Sequence, residues 1–110
     1  EGIVPGGGVA LVNAINLLDM NDVGEKIVAK SIVTPYETII SNAGIKNMTL
    51  PEKQGEGFDV VKGELVDMVH KGIVDPVLVT KTALKNAGSV ASTIISADCV
   101  ISNMRTNESN

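Results

Sequence analysis

Aromatic residues are nearly missing from this chain: Tyr36 and Phe58 are the only two in 110 residues, and there is no tryptophan. A core here must be built from Val, Ile, Leu and Ala, which suits helix-on-helix packing. Cys99 is the only cysteine and His70 the only histidine. One of each excludes an intrachain disulfide and a Cys/His zinc site. Cys99 lies in an apolar run and reads as a packed side chain. His70, beside Met68, Val69 and Lys71, reads as exposed. Clusters of basic residues are missing too. Lys53, Lys62, Lys71, Lys81 and Lys85 are scattered and the net charge is −4, which argues against a nucleic-acid partner. No apolar run reaches the length of a membrane span, and no signal peptide is recognisable. No membrane partner and a cytoplasmic location are therefore expected. Asn47-Met48-Thr49 and Asn107-Glu108-Ser109 fit the glycosylation pattern, but without a secretory signal both are read as chance.

What is present is apolar. Hydrophobic residues make up 44% and charged residues 20%, with a mean hydropathy of +0.22. For one domain or a piece of one, that balance predicts surface covered by something outside the chain. The chain opens on Glu1 in what reads as the middle of a domain, so a fragment is expected.

Three consecutive glycines, Gly6-Gly7-Gly8, separate Val4-Pro5 from an apolar run starting at Val9. Glycine costs backbone entropy and packs no side chain, so three in a row suit a place where something approaches the backbone closely. Amides at a helix start favour an anion, which makes a phosphate or a nucleotide sugar a candidate ligand. The run matches neither the P-loop spacing nor GxGxxG after a strand, and a hinge into a helix explains it as well.

Residues 9–20 read as a helix apolar on most faces. Asp22 with Glu25 reads as a capping box that opens a second helix over residues 23–33. Thr34 reads as the cap of a third helix, with Pro35 in the first position and Glu37 completing the box. Gly44 ends it. Residues 45–56 read as an exposed loop. A small hairpin is expected over residues 57–66, turning at Lys62-Gly63. Asp75-Pro76 reads as the cap and first residue of a long helix over residues 76–96, thin along Ala83, Ala87, Gly88, Ala91 and Ser92. Residues 97–102 read as a strand with no obvious partner nearby, to be paired with a distant segment or another chain, and residues 103–110 as a polar tail.

This ordered set resembles the C-terminal part of the equatorial domain of group I chaperonins, the GroEL-type 60 kDa family. The resemblance rests on Glu1-Gly2-Ile3-Val4-Pro5-Gly6-Gly7-Gly8-Val9-Ala10-Leu11, Asn42-Ala43-Gly44 and Gly57-Phe58-Asp59. It continues through Val66-Asp67-Met68-Val69-His70-Lys71-Gly72-Ile73-Val74-Asp75-Pro76, Lys81-Thr82-Ala83-Leu84 and Ser89-Val90-Ala91-Ser92. It covers residues 1–102. It implies a mainly α fragment of the equatorial helical domain, with a small β-hairpin and a C-terminal strand.

The resemblance also implies a nucleotide pocket for ATP or ADP. Gly7 would lie against the nucleotide, Asp59, Val60 and Val61 would line the adenine, and Asp75 would reach the ribose. Phe58 reads as core. The family's phosphate loop, magnesium-binding aspartate and water-activating aspartate have no counterpart in these residues. No catalytic or metal-binding residue is therefore assigned, and the chain alone is expected to hydrolyse no ATP. The implied parent is an ATP-driven folding machine: a ring-forming homo-oligomer with a co-chaperonin and unfolded polypeptides as partners. The chain departs from the family in its shorter loop over residues 45–56 and in a tail without Gly-Gly-Met repeats. Two other readings stand beside this one. One is a free-standing helical module that binds a nucleotide or phosphate, and the other is a structural helical domain with the glycines as a hinge.

Overall fold

The computed structural model describes residues 1–46 and 49–108. The chain forms two compact units, Glu1–Pro76 and Val77–Asn110. The first holds β1 (Ile3–Pro5), α1 (Val9–Ala14), a 3-10 turn (Ile15–Leu17), α2 (Val23–Ile32), α3 (Thr34–Asn42), β2 (Glu56–Asp59), β3 (Glu64–Asp67) and β4 (Val74–Pro76). The second is built on α4 (Val77–Glu108). The fold is mainly α with small β elements, as the sequence predicts.

The first helix is shorter than its apolar pattern suggests. It tightens into the 3-10 turn and stops at Leu18, whose backbone is extended. Polar side chains then take over the backbone, a competition typical of Asp and Asn. The Asn21 amide donates to Asp19 Oδ1 at 2.9 Å, and the Asp19 amide donates to Glu25 Oε1 at 3.3 Å. The Asp22 cap forms as expected, its Oδ1 accepting from the Glu25 amide at 3.0 Å. Thr34 does not cap. Only Val33 separates α2 from α3, and it stays right-handed helical, so Thr34 is already inside the helix. Pro35 is tolerated there because its missing N–H falls in the first turn. At the far end Gly44 adopts a φ of 78°. Its amide donates to Ser41 O at 2.9 Å and that of Ile45 to Ile40 O at 3.2 Å, which is a Schellman closure.

The hairpin forms, but its strands are β2 and β3, with Asp59 opposite Glu64 and Glu56 opposite Asp67. Val60 and Val61 are drawn out of the strand into the turn. The cause is Asp59, whose Oδ1 accepts from the Val61 amide at 3.0 Å and the Lys62 amide at 3.1 Å. Gly63 closes the turn at a φ of 75°, its amide donating to Asp59 O at 2.7 Å.

A second ribbon went unrecognised in the sequence. β1 pairs antiparallel with β4, Val4 opposite Asp75, although 70 residues lie between Val4 and Asp75. Asp75 and Pro76 thus belong to a strand, and α4 opens at Val77.

The core of the first unit gathers Val9, Val12, Tyr36, Ile40, Val66 and Met68, with Val33, Ile45, Phe58 and Ile73 packed against it. Phe58 serves this core, as expected.

The C-terminal strand expected over residues 97–102 is not present: α4 continues unbroken through them to Glu108, including residues 103–108 of the expected tail. Val100 and Ile101 favour strands, but a lone strand has no ladder to join. Extending an existing helix costs only one residue's ordering per hydrogen bond. No Pro or Gly stands between Ser89 and Glu108 to stop it. Asn47, Met48, Ser109 and Asn110 lie outside the described residues.

Candidate functional site

The glycine run owes much to the chain's own packing. Gly8 has a φ of 81°, and a Cβ there would lie 2.6 Å from the Tyr36 amide nitrogen. A Cβ on Gly6 would lie 3.1 Å from the Ile73 carbonyl oxygen. The close approach inferred from the sequence is therefore, at these two positions, that of α3 and of the segment entering β4. Gly7 is different. It faces a pocket, and a Cβ there would lie 2.9 Å from Met68 Cε.

That pocket encloses about 310 Å³. Gly7 forms part of its wall, and the β2–β3 turn contributes Phe58, Asp59, Val60, Val61 and Lys62. Ile39 of α3 and the Met68–Ile73 connection complete it. Its lining is mostly apolar. Asp59 is the one buried charged side chain among the described residues. Because Asp59 Oδ1 accepts from the Val61 and Lys62 amides, those two donors are already occupied. The turn presents no free amide pair at this point to an anion, so the pocket suits a flat apolar ring rather than a phosphate.

Of the residues picked from the sequence, Gly7, Asp59, Val60 and Val61 come together in this pocket. Asp75 is not in the lining. It is exposed in β4, two residues beyond Ile73. Ile39, Met68 and Ile73 were not picked. Met68 and Ile73 fall inside the run 66–76 that carries the chaperonin resemblance, so a signal for them was present. Ile39 carried only its helical spacing.

The remaining candidates do not gather elsewhere. The His70 amide donates to Asp67 Oδ1 at 3.1 Å, and its side chain is exposed, as expected. Among the described residues no group of three His, Cys, Asp or Glu could hold a metal ion, and no helix is long and apolar enough to cross a membrane. The Tyr36 hydroxyl is buried without a hydrogen-bond partner. Burial, and secondarily the charge of Glu56, pushes its pKa above the usual tyrosine value.

The sequence matches a known family. The TCP-1/cpn60 chaperonin family model matches residues 1–105, and the chain belongs to that family. It is 42% identical over 121 aligned positions to a protein of Brassica napus named "Chaperonin CPN60, mitochondrial", which bears out the resemblance to group I chaperonins. The match covers 98% of this chain and 21% of the relative, so the chain spans about a fifth of that protein's length. The alignment is longer than the chain itself, so the relative carries residues with no counterpart here.

Proposed function

We propose that this chain supplies the base-binding wall of the ATP/ADP site in a protein-folding chaperonin. One observation carries the reading. Gly7 and residues 59–61, distant in sequence, line one apolar pocket together with Ile73. Purine rings bind through apolar faces, and this lining is mostly apolar. Asp75 is assigned to the ribose. It lies in β4, two residues beyond Ile73 of the pocket lining. Its two acceptors suit paired hydroxyls. ATP hydrolysis, magnesium binding, ring assembly, the co-chaperonin and unfolded polypeptides as substrates belong to the whole protein on this reading. So does residence in the cytoplasm, with an organelle interior as the alternative that the Brassica relative's name suggests. The equatorial part over residues 1–102 is the unit through which the chain joins the ring.

Photolabelling of the full-length protein with 8-azido-ADP tests the pocket. The peptide containing Val60 and Val61 should carry the label, and unlabelled ADP should suppress it. Labelling confined to other peptides would sink the assignment. Asp75→Asn then tests the ribose contact. An exposed substitution should leave the melting temperature unchanged. The lost charge-assisted hydrogen bond, worth about 1.5–3 kcal/mol, should weaken ADP binding by about tenfold or more in titration calorimetry. Wild-type affinity would remove Asp75 from the site.

A further inference from the structure

We infer that occupancy of the pocket orders the β1–β4 ribbon, with Ile73 as the joint between them. This rests on the nucleotide reading above. Ile73 lines the pocket and leads directly into β4. Its amide donates to Met68 O at 2.8 Å, and Met68 also lines the pocket. Its carbonyl accepts from the Gly6 amide at 2.8 Å, and Gly6 follows directly on β1. Gly7, one residue further, lines the pocket again. Both strands of the ribbon therefore run straight into the pocket wall at the same end.

The joint has little slack. The Ile73 carbonyl carbon and the Val74 amide both lie 3.2 Å from where a Cβ on Gly6 would stand. The ribbon itself is short, with three paired positions and Pro5 and Pro76 among them. Proline donates no ladder hydrogen bond, and a two-stranded ribbon of this size is marginal alone. A ring held against Ile73 and Gly7 fixes both strand ends at once. The entropy of ordering the ribbon then becomes part of the binding equilibrium. Loosening the ribbon must weaken binding by the same factor.

The test is hydrogen exchange of the full-length protein with and without ADP, binding being followed separately by calorimetry. At a ligand concentration about a hundred times the dissociation constant, amides that open only with the site can slow by at most about a hundredfold. Peptides covering residues 1–6 and 74–77 should slow by about tenfold or more, while α2 stays unchanged. Gly6→Ala, at a position outside the pocket lining, sets a Cβ 3.1 Å from the Ile73 carbonyl oxygen and so crowds the joint. It should keep ADP binding measurable and lose the ribbon's protection. ADP binding with unchanged ribbon exchange overturns the inference and leaves the nucleotide reading standing. Ribbon protection that persists in Gly6→Ala also overturns it. Absence of ADP binding removes the nucleotide reading, and this inference with it. The wild-type comparison alone decides the matter if Gly6→Ala does not fold.

Discussion

Within Glu1–Pro76 the residues Val9, Val12, Tyr36, Ile40, Val66 and Met68 are buried together, whereas along α4 the side chains of Leu78, Val79, Leu84, Val90, Ile94 and Ile95 are all exposed. The two regions use similar residues, and both leave apolar side chains exposed, but the buried cluster lies in the first. The first meets its apolar side chains with several short elements and two strand ribbons. The second is one helix of 32 residues, exposed at its large apolar side chains from Leu78 to Ile95. Exposed apolar rows of this kind are surfaces through which chains associate. The excess apolar character read from composition thus has a location. It lies along α4 and also in the first unit, on α2 at Val23, Ile27 and Val28 and at the pocket's edge, where Val61 is 91% exposed.

The sharpest way to break the first region is Gly8→Ala. The residue would be held at a φ of 81° and its Cβ forced against the Tyr36 backbone, which cannot swing aside as a side chain could. Left-handed strain and overpacking each cost roughly 1–3 kcal/mol, so a loss of about 4 kcal/mol is expected. Urea denaturation should show the midpoint of the first unit falling steeply while the α4 signal is unmoved. A loss below about 1 kcal/mol would mean that α3 can slide away from the glycine turn.

The first region also shows what the sequence did and did not reveal. Asp22, Gly44 and the hairpin were legible because each is a local device: a cap, a left-handed C′ glycine and a short-range turn. Gly7 and residues 59–61 were legible through the chaperonin resemblance. The β1–β4 ribbon was not, because the three residues of each strand carry no pattern and the partner is 70 residues away. The strand expected at residues 97–102 shows the opposite error. Val100 and Ile101 prefer a strand, but propensity is a weak prior and the helix upstream decided the outcome. Thr34 looked like a cap because T-P-x-E is a start signal, yet the preceding helix reaches it with only Val33 between.

Tyr36→Phe sharpens the comparison from inside the core. The hydroxyl is buried with no partner, so its removal deletes a desolvation cost and keeps the ring's packing. A gain of about 1 kcal/mol at neutral pH is expected. The pH dependence has a fixed sign. The folded-state pKa of Tyr36 is raised above its unfolded value, so above about pH 10 the unfolded chain binds fewer protons and stability falls. Wild type should therefore decline in alkali more than Tyr36→Phe does. Thermal melts at neutral and alkaline pH check both statements. A destabilised Tyr36→Phe would show that the hydroxyl has a partner in solution.

The smallest change in stability is expected in α4, and there the effect is on association. Val90 and Ile94 are one helical turn apart and so share a face, and both are exposed. Replacing both with Lys removes no buried contact and should alter the stability of the first unit by less than about 0.5 kcal/mol. The isolated chain is nevertheless expected to self-associate, because an uncovered apolar helix face finds another copy when its proper cover is missing. Two lysines at the centre of that face would have to lose their hydration in such a contact, and like charges would meet across it. Light scattering should then show the wild-type chain as oligomers and the double variant shifted to monomer, with unchanged urea denaturation of the first unit. If the double variant associates as strongly as wild type, the association runs through another surface. The exposed edges of the β1–β4 ribbon and the apolar rim at Val61 then become the surfaces to alter next.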